Sequence, residues 1–107
     1  MAGERYLLDT NALIALSRGE ESLLRRIEAA SEVSVPFVAA GELYYGAFNS
    51  ARPTENIRKL RDLLSGFSIL FPSSATIETY AAIRYWLKKA GTPIPEADLW
   101  IAALAMQ

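Results

Sequence analysis

The sequence predicts an α/β fold built on a parallel sheet, and three observations carry that prediction. Short apolar segments alternate with longer ones whose apolar residues recur at helical spacing. Each pair of successive strands is separated by enough helix to make the crossover that parallel neighbours require. Each strand also runs into residues that end pairing or open a helix: Asp9-Thr10-Asn11, Pro36 and Pro72. With 107 residues, 51% of them hydrophobic and 21% charged, the chain reads as one ordered domain spanning residues 1–107.

Tyr6 to Leu8 is the first strand, and the helix after Asp9 takes its apolar side from Leu13, Ile14 and Leu16 before Ser17-Arg18-Gly19 closes it. Glu20 and Glu21 open a second helix with Leu23, Leu24 and Ile27 facing the core. Val33-Ser34-Val35-Pro36 is too short for a helix and alternates as a strand does. A helix then runs from Phe37 to Phe48 with Val38, Ala39, Leu43, Tyr44 and Ala47 at helical spacing. Asn49 to Pro53 is a loop. In the helix from Thr54 to Leu64, Ile57, Leu60, Leu63 and Leu64 point inward. Phe67 to Phe71 is a third strand. Ser73 or Ser74 caps a helix that reaches about Ala90, its apolar face made of Ile77, Tyr80, Ile83 and Leu87. Gly91-Thr92-Pro93-Ile94-Pro95 is a stiff connector to a last helix that starts near Pro95 or Glu96. That helix is apolar on nearly all sides and is expected to be buried.

The residue types that are missing narrow the chemistry. The chain has no cysteine and no histidine, which excludes disulfides, thiolate or imidazole zinc sites and Ser-His-Asp catalysis within it. What remains is carboxylates, hydroxyls, amines and a hard cation held by oxygen, such as magnesium or manganese. A net charge of −1 gives no overall attraction for nucleic acid, so any such contact depends on a local basic patch. No apolar stretch approaches the roughly 20 residues that span a bilayer, and no signal core is evident, so a cytoplasmic location away from membranes is expected.

Three carboxylates stand out. Asp9 follows the first strand, where open α/β sheets place ligands, and it equally suits the role of helix N-cap. Glu42 is the only charge between Phe37 and Phe48; it either marks that helix's solvent face or meets a cation. Asp98 lies in the first turn of the last helix, where the helix dipole favours an anion, and the apolar run after it carries it toward the interior without a lysine or arginine in the helix to pair with. Glu96 is two positions earlier and so on the opposite side of a regular helix, which makes it an auxiliary acid or a dipole-favoured surface residue.

Taken together, Leu7-Leu8-Asp9-Thr10-Asn11, Ala40-Gly41-Glu42-Leu43 and Pro93-Ile94-Pro95-Glu96-Ala97-Asp98-Leu99-Trp100-Ile101-Ala102-Ala103 resemble, in order and separation, the PIN-domain family, and within it the VapC toxins of toxin–antitoxin modules. The resemblance covers essentially the whole chain. It implies a three-layer α/β/α fold, a magnesium- or manganese-dependent endoribonuclease that cuts RNA, homodimerisation, and inhibition by a cognate antitoxin. Asp9, Glu42 and Asp98 match the family's catalytic, metal-holding acids, and Thr10 and Asn11 match the polar residues that orient the first of them. The family usually adds a strand and a further acidic or polar residue after the last helix. This chain reaches Gln107 first, so its sheet is expected to lack that C-terminal strand.

Arg52, Arg58, Lys59 and Arg61 are the densest basic cluster available to RNA, although Glu55 and Asp62 among them also fit an ordinary solvated helix face. The alternative to a ribonuclease is a catalytically impaired PIN domain that only binds antitoxin or RNA; a third reading is a phosphatase or DNA nuclease using the same acids. The apolar content of Phe37–Phe48 and of the last helix points to a homodimer.

Overall fold

The computed structural model describes residues 5–107; residues 1–4, part of the N-terminal segment in which no signal core is evident, lie outside the described residues. In chain order the elements are β1 (Arg5–Leu7), α1 (Thr10–Ser17), α2 (Glu21–Ala29), β2 (Glu32–Pro36), α3 (Phe37–Phe48), α4 (Pro53–Leu64), β3 (Ser68–Leu70), α5 (Ser74–Ala90) and α6 (Glu96–Ala105). The strands form one sheet in the order β1-β2-β3, and β1 and β2 pair in parallel with Arg5 opposite Glu32, Tyr6 opposite Val33 and Leu7 opposite Ser34. The alternation of strand and helix therefore gives the expected α/β class.

Strand limits differ from the sequence reading by a residue or two, for local reasons. Leu8 still donates its N–H to the Ser34 carbonyl at 2.9 Å, so pairing continues one residue beyond β1 toward Asp9. At β3, the Phe67 N–H turns back to the Leu64 carbonyl at 3.0 Å, which leaves the strand only Ser68–Leu70. Pro53, placed in a loop by its identity, is instead the first residue of α4, where its fixed φ and missing N–H cost nothing.

The chain divides into two compact units, the first ending at Ile69 and the second comprising Leu70–Gln107. The first has a core of Leu8, Leu13, Val35, Ala39, Ala40 and Leu64, with Tyr6, Ile27, Val33, Leu43, Tyr44 and Leu60 packed against it. Burial of each large aliphatic side chain contributes roughly 1.5–3 kcal/mol. Arg5 and Glu32, neighbours across the β1–β2 pair, meet at 2.7 Å on the exposed rim. On α2 the inward face is narrower than expected: Leu23 and Ile27, four residues apart, are half-buried, while Leu24 stays 42% exposed on the flank.

The second unit is α5 packed against α6. Ser73 caps α5 reciprocally: its Oγ accepts the Thr76 N–H at 3.3 Å, and its own N–H donates to Thr76 Oγ1 at 3.1 Å. Gly91, at φ 75°, turns the chain out of α5 in a left-handed conformation that a side chain would disfavour. Ile77, expected inward, is exposed in the first turn of α5. The last helix departs from expectation too. Leu99, Ala103 and Leu104 are buried, but Asp98 and Ala105 are exposed, so α6 has one buried face rather than an apolar surface buried all round. Among the described residues, no helix is long and apolar enough to cross a membrane.

Candidate active site

Asp9 follows directly on the last paired residue of β1 and is the N-cap of α1. Its Oδ1 accepts the Ala12 N–H at 2.8 Å, satisfying a donor that the helix itself leaves unpaired. This cap contributes about 1 kcal/mol and fixes the carboxylate's direction. The cap role and an active-site role are therefore compatible in one side chain.

Glu42 is positioned by the neighbouring strand. β2 ends at Pro36, α3 begins at Phe37, and Glu42 lies in the second turn of that helix. Its Oε1 accepts a hydrogen bond from Thr10 Oγ1 at 3.2 Å. Thr10 is the first residue of α1, adjacent in sequence to Asp9, so its hydroxyl ties Glu42 to the residue that follows the acid after β1. Glu42 is exposed, on the same helix surface as Gly41, Tyr45 and Gly46, while Ala39, Ala40 and Ala47 are buried. Its isolation in the sequence thus marks a solvent face. Thr10 is tied to Glu42 rather than to Asp9, whose orientation comes from the backbone of α1. Asn11 is exposed in the first turn of α1.

In the second unit Asp98 is the third residue of α6, in a first turn that also holds Glu96. Asp98 is exposed, which overturns the expectation that it enters the interior: with 3.6 residues per turn it lies about 100° or more round the helix from the buried Leu99 and Ala103. Glu96 is engaged at once. Its Oε1 accepts the Tyr80 hydroxyl proton at 2.7 Å and lies 3.7 Å from Arg84 Nη1, which also donates to the Tyr80 oxygen at 2.8 Å. The Tyr80 ring stacks on Trp100 with centroids 3.9 Å apart and planes 7° from parallel. Tyr80 and Arg84 were not candidates from the sequence. Their spacing of four along one helix is legible there, but a pairing that crosses the Gly91–Pro95 connector is not.

The basic cluster on α4 splits in two. Arg52 and Lys59 both pair with Glu55, at 3.6 and 3.3 Å. Arg58 and Arg61 have no ion pair among the described residues and line a surface depression with Thr54 and Glu55. Among the described residues, no three acidic side chains stand close enough together to enclose an ion. The nearest approach to a donor set is the Asp9–Thr10–Glu42 arrangement of the first unit, made wholly of oxygen.

An open sheet with a parallel β1–β2 pair, one acid directly after β1 and another in the second turn of the helix after β2, is an α/β arrangement of the kind that carries ligands at the carboxyl ends of its strands. A family profile described as PIN domain matches residues 6–107, and the chain belongs to that family. It is 37% identical over 103 residues to Ribonuclease VapC2 of Haemophilus influenzae, a match spanning 94% of this chain and 78% of that protein. It is 30% identical over 105 residues to Ribonuclease VapC1 of the same species, with the same coverage. The solved structure of VapBC-1 from nontypeable Haemophilus influenzae is similar over 95% of this chain and 79% of that one, at a TM-score of 0.85 and 31% identity. The fold implied by the sequence motifs is thus the fold observed, with a three-stranded parallel sheet and six helices among the described residues.

Proposed function

We propose that the chain is a metal-dependent endoribonuclease of the VapC type, the toxin of a toxin–antitoxin module, with Asp9, Glu42 and Asp98 as its metal-holding and catalytic acids. The observation that supports the reading is the hydrogen bond from the Thr10 hydroxyl to Glu42, which ties that acid to the residue following the capped Asp9. Ribonuclease relatives and membership of the PIN family support it. Carboxylate and hydroxyl oxygens without nitrogen or sulfur suit magnesium or manganese. A divalent cation, when bound, supplies positive charge to a phosphate oxygen and lowers the pKa of water that attacks in line.

The chain's own groups divide the work. Asp9 keeps Oδ1 on the Ala12 N–H and offers Oδ2 as a ligand. Glu42 keeps Oε1 on Thr10 and presents Oε2 to take a proton from the attacking water. Asp98 adds the third carboxylate from α6. Arg58 and Arg61, without acidic partners among the described residues, are the members of the basic cluster that take up RNA phosphates, with Arg52 and Lys59 in a lesser role.

Cleavage of matched RNA and DNA oligonucleotides, with magnesium and with chelator, tests the reading. RNA is expected to be cut only with metal, and the Asp9→Asn and Asp98→Asn proteins are expected to be inactive. Equal cleavage of DNA, or cleavage that survives chelation, would defeat it. An antitoxin partner is supported by the two-component VapBC-1 relative, and co-purification with the product of a neighbouring gene checks it. A homodimer is supported by the outward Tyr45 and Phe48 of α3 and Tyr85 and Trp86 of α5, which are between 53% and 72% exposed. A monomer alone in sedimentation at micromolar concentration would remove that assembly.

A further inference from the structure

Glu96, Asp98 and Trp100 occupy alternate positions at the start of α6. A helix advances about 100° per residue, so Glu96 and Trp100 share one face and Asp98 projects from nearly the opposite one. Both residues on the first face are held by one side chain of α5: the Tyr80 hydroxyl donates to Glu96 Oε1 at 2.7 Å, and the Tyr80 ring stacks on Trp100 at 3.9 Å. Arg84, one turn further along α5, donates to the Tyr80 oxygen at 2.8 Å and stands 3.7 Å from the same Glu96 oxygen. The two attachment points lie one turn apart on α6, with Asp98 midway between them along the axis. One off-axis contact sets a helix's rotation about a given axis, and a second contact a turn away on the same face also limits its tilt.

Asp98 has no side-chain hydrogen bond or ion pair within this unit, unlike Asp9 and Glu42, whose oxygens are each held directly. Its direction is therefore set by the rotation of α6. We propose that Tyr80, Arg84, Glu96 and Trp100 form a clamp whose task is to aim Asp98, which makes them positioning residues rather than ligands. The exposed Arg84–Glu96 pair, with side chains 63% and 67% accessible, would be weak as a stabilising salt bridge, which fits a role in geometry better than one in stability. The inference rests on Asp98 being a metal ligand.

Manganese(II) binding to the whole chain, followed by calorimetry without substrate, separates the alternatives, with thermal melting as the structural control. Tyr80→Phe keeps the stack and every charge but removes the hydroxyl; it is expected to weaken manganese binding about tenfold, as losses behind a ligand commonly do, with the melting temperature little changed. Arg84→Gln gives the sharper sign. If Arg84 acts on the site only through its charge, removing it tightens cation binding; if it holds the clamp, binding weakens, and Arg84→Lys restores part of the loss. Asp98→Asn is the reference. If it fails to weaken manganese binding, the assignment of Asp98 and the clamp fall together. If it weakens binding while Tyr80→Phe and Arg84→Gln leave the affinity at or above the parent value, the clamp alone is overturned.

Discussion

The two compact units hold their candidate acids by different means. In the first unit, Asp9 and Glu42 are each gripped directly, by the Ala12 N–H and by the Thr10 hydroxyl, above a core in which Leu13 and Val35 are fully buried. In the second unit, Asp98 has no such grip; the residues that are held are Glu96 and Trp100, on the far side of the same helix. Direct capping makes an acid part of the local fold, so its removal costs both stability and chemistry. Indirect aiming separates the two, and the contrast can be tested by substitutions that affect one property without the other.

The largest effect is expected where charge at the site is lost without loss of structure. Asp98→Asn and Asp9→Asn should each lower metal-dependent RNA cleavage by roughly a hundredfold or more while melting curves without metal stay close to the parent's, because Asn caps α1 as well as Asp9 does and Asp98 is exposed without a cap bond. Cleavage by Asp98→Asn at the parent rate would reduce the second unit to a structural role. Next is Leu13→Ala in the core beneath α1, which should cost about 3 kcal/mol of unfolding free energy in a urea titration. A loss below about 1 kcal/mol would show that the direct grip on Asp9 does not depend on a rigid core.

Smaller, and aimed at the comparison itself, is the pair Asp9→Ala and Asp98→Ala. The first should cost about 1 kcal/mol through the lost cap; the second, only a few tenths through the helix dipole. Equal melting temperatures for the two proteins would erase the distinction. The smallest effects belong to α4. Arg58→Ala and Arg61→Ala are each expected to reduce the salt dependence of RNA binding by about one counterion, whereas Arg52→Ala, tied to Glu55, should change it less. Binding measured across a range of potassium chloride concentrations reads this directly.

Much of the fold was legible because its signals are local. The strand-to-helix turn at Asp9, the cap at Ser73 and the stop at Gly91 each depend on residue types that favour one backbone geometry, and all three act as their identities imply. The same locality explains the errors. The apolar neighbours of Asp98 predict that it enters the interior, yet it is exposed; for Glu42 they leave a solvent face and a cation partner equally open, and the structure shows the solvent face. Alanine and glycine make a helix read as apolar on every side, whereas burial depends on which side another element covers.

By itself, then, the sequence determined the chemistry open to this protein: oxygen ligands only, three acids in PIN-family order, and strands alternating with helices in a way that demands a parallel sheet. Tertiary structure alone decided which groups hold those acids. The Thr10–Glu42 bond joins residues 32 positions apart, and the Tyr80–Glu96 bond joins residues 16 apart across a proline-rich connector. Neither separation has a periodicity that a chain could display in advance. Contacts of this kind arise when packed helices are set at a particular rotation, and that rotation is fixed by the sum of many side-chain volumes rather than by any one residue's preference.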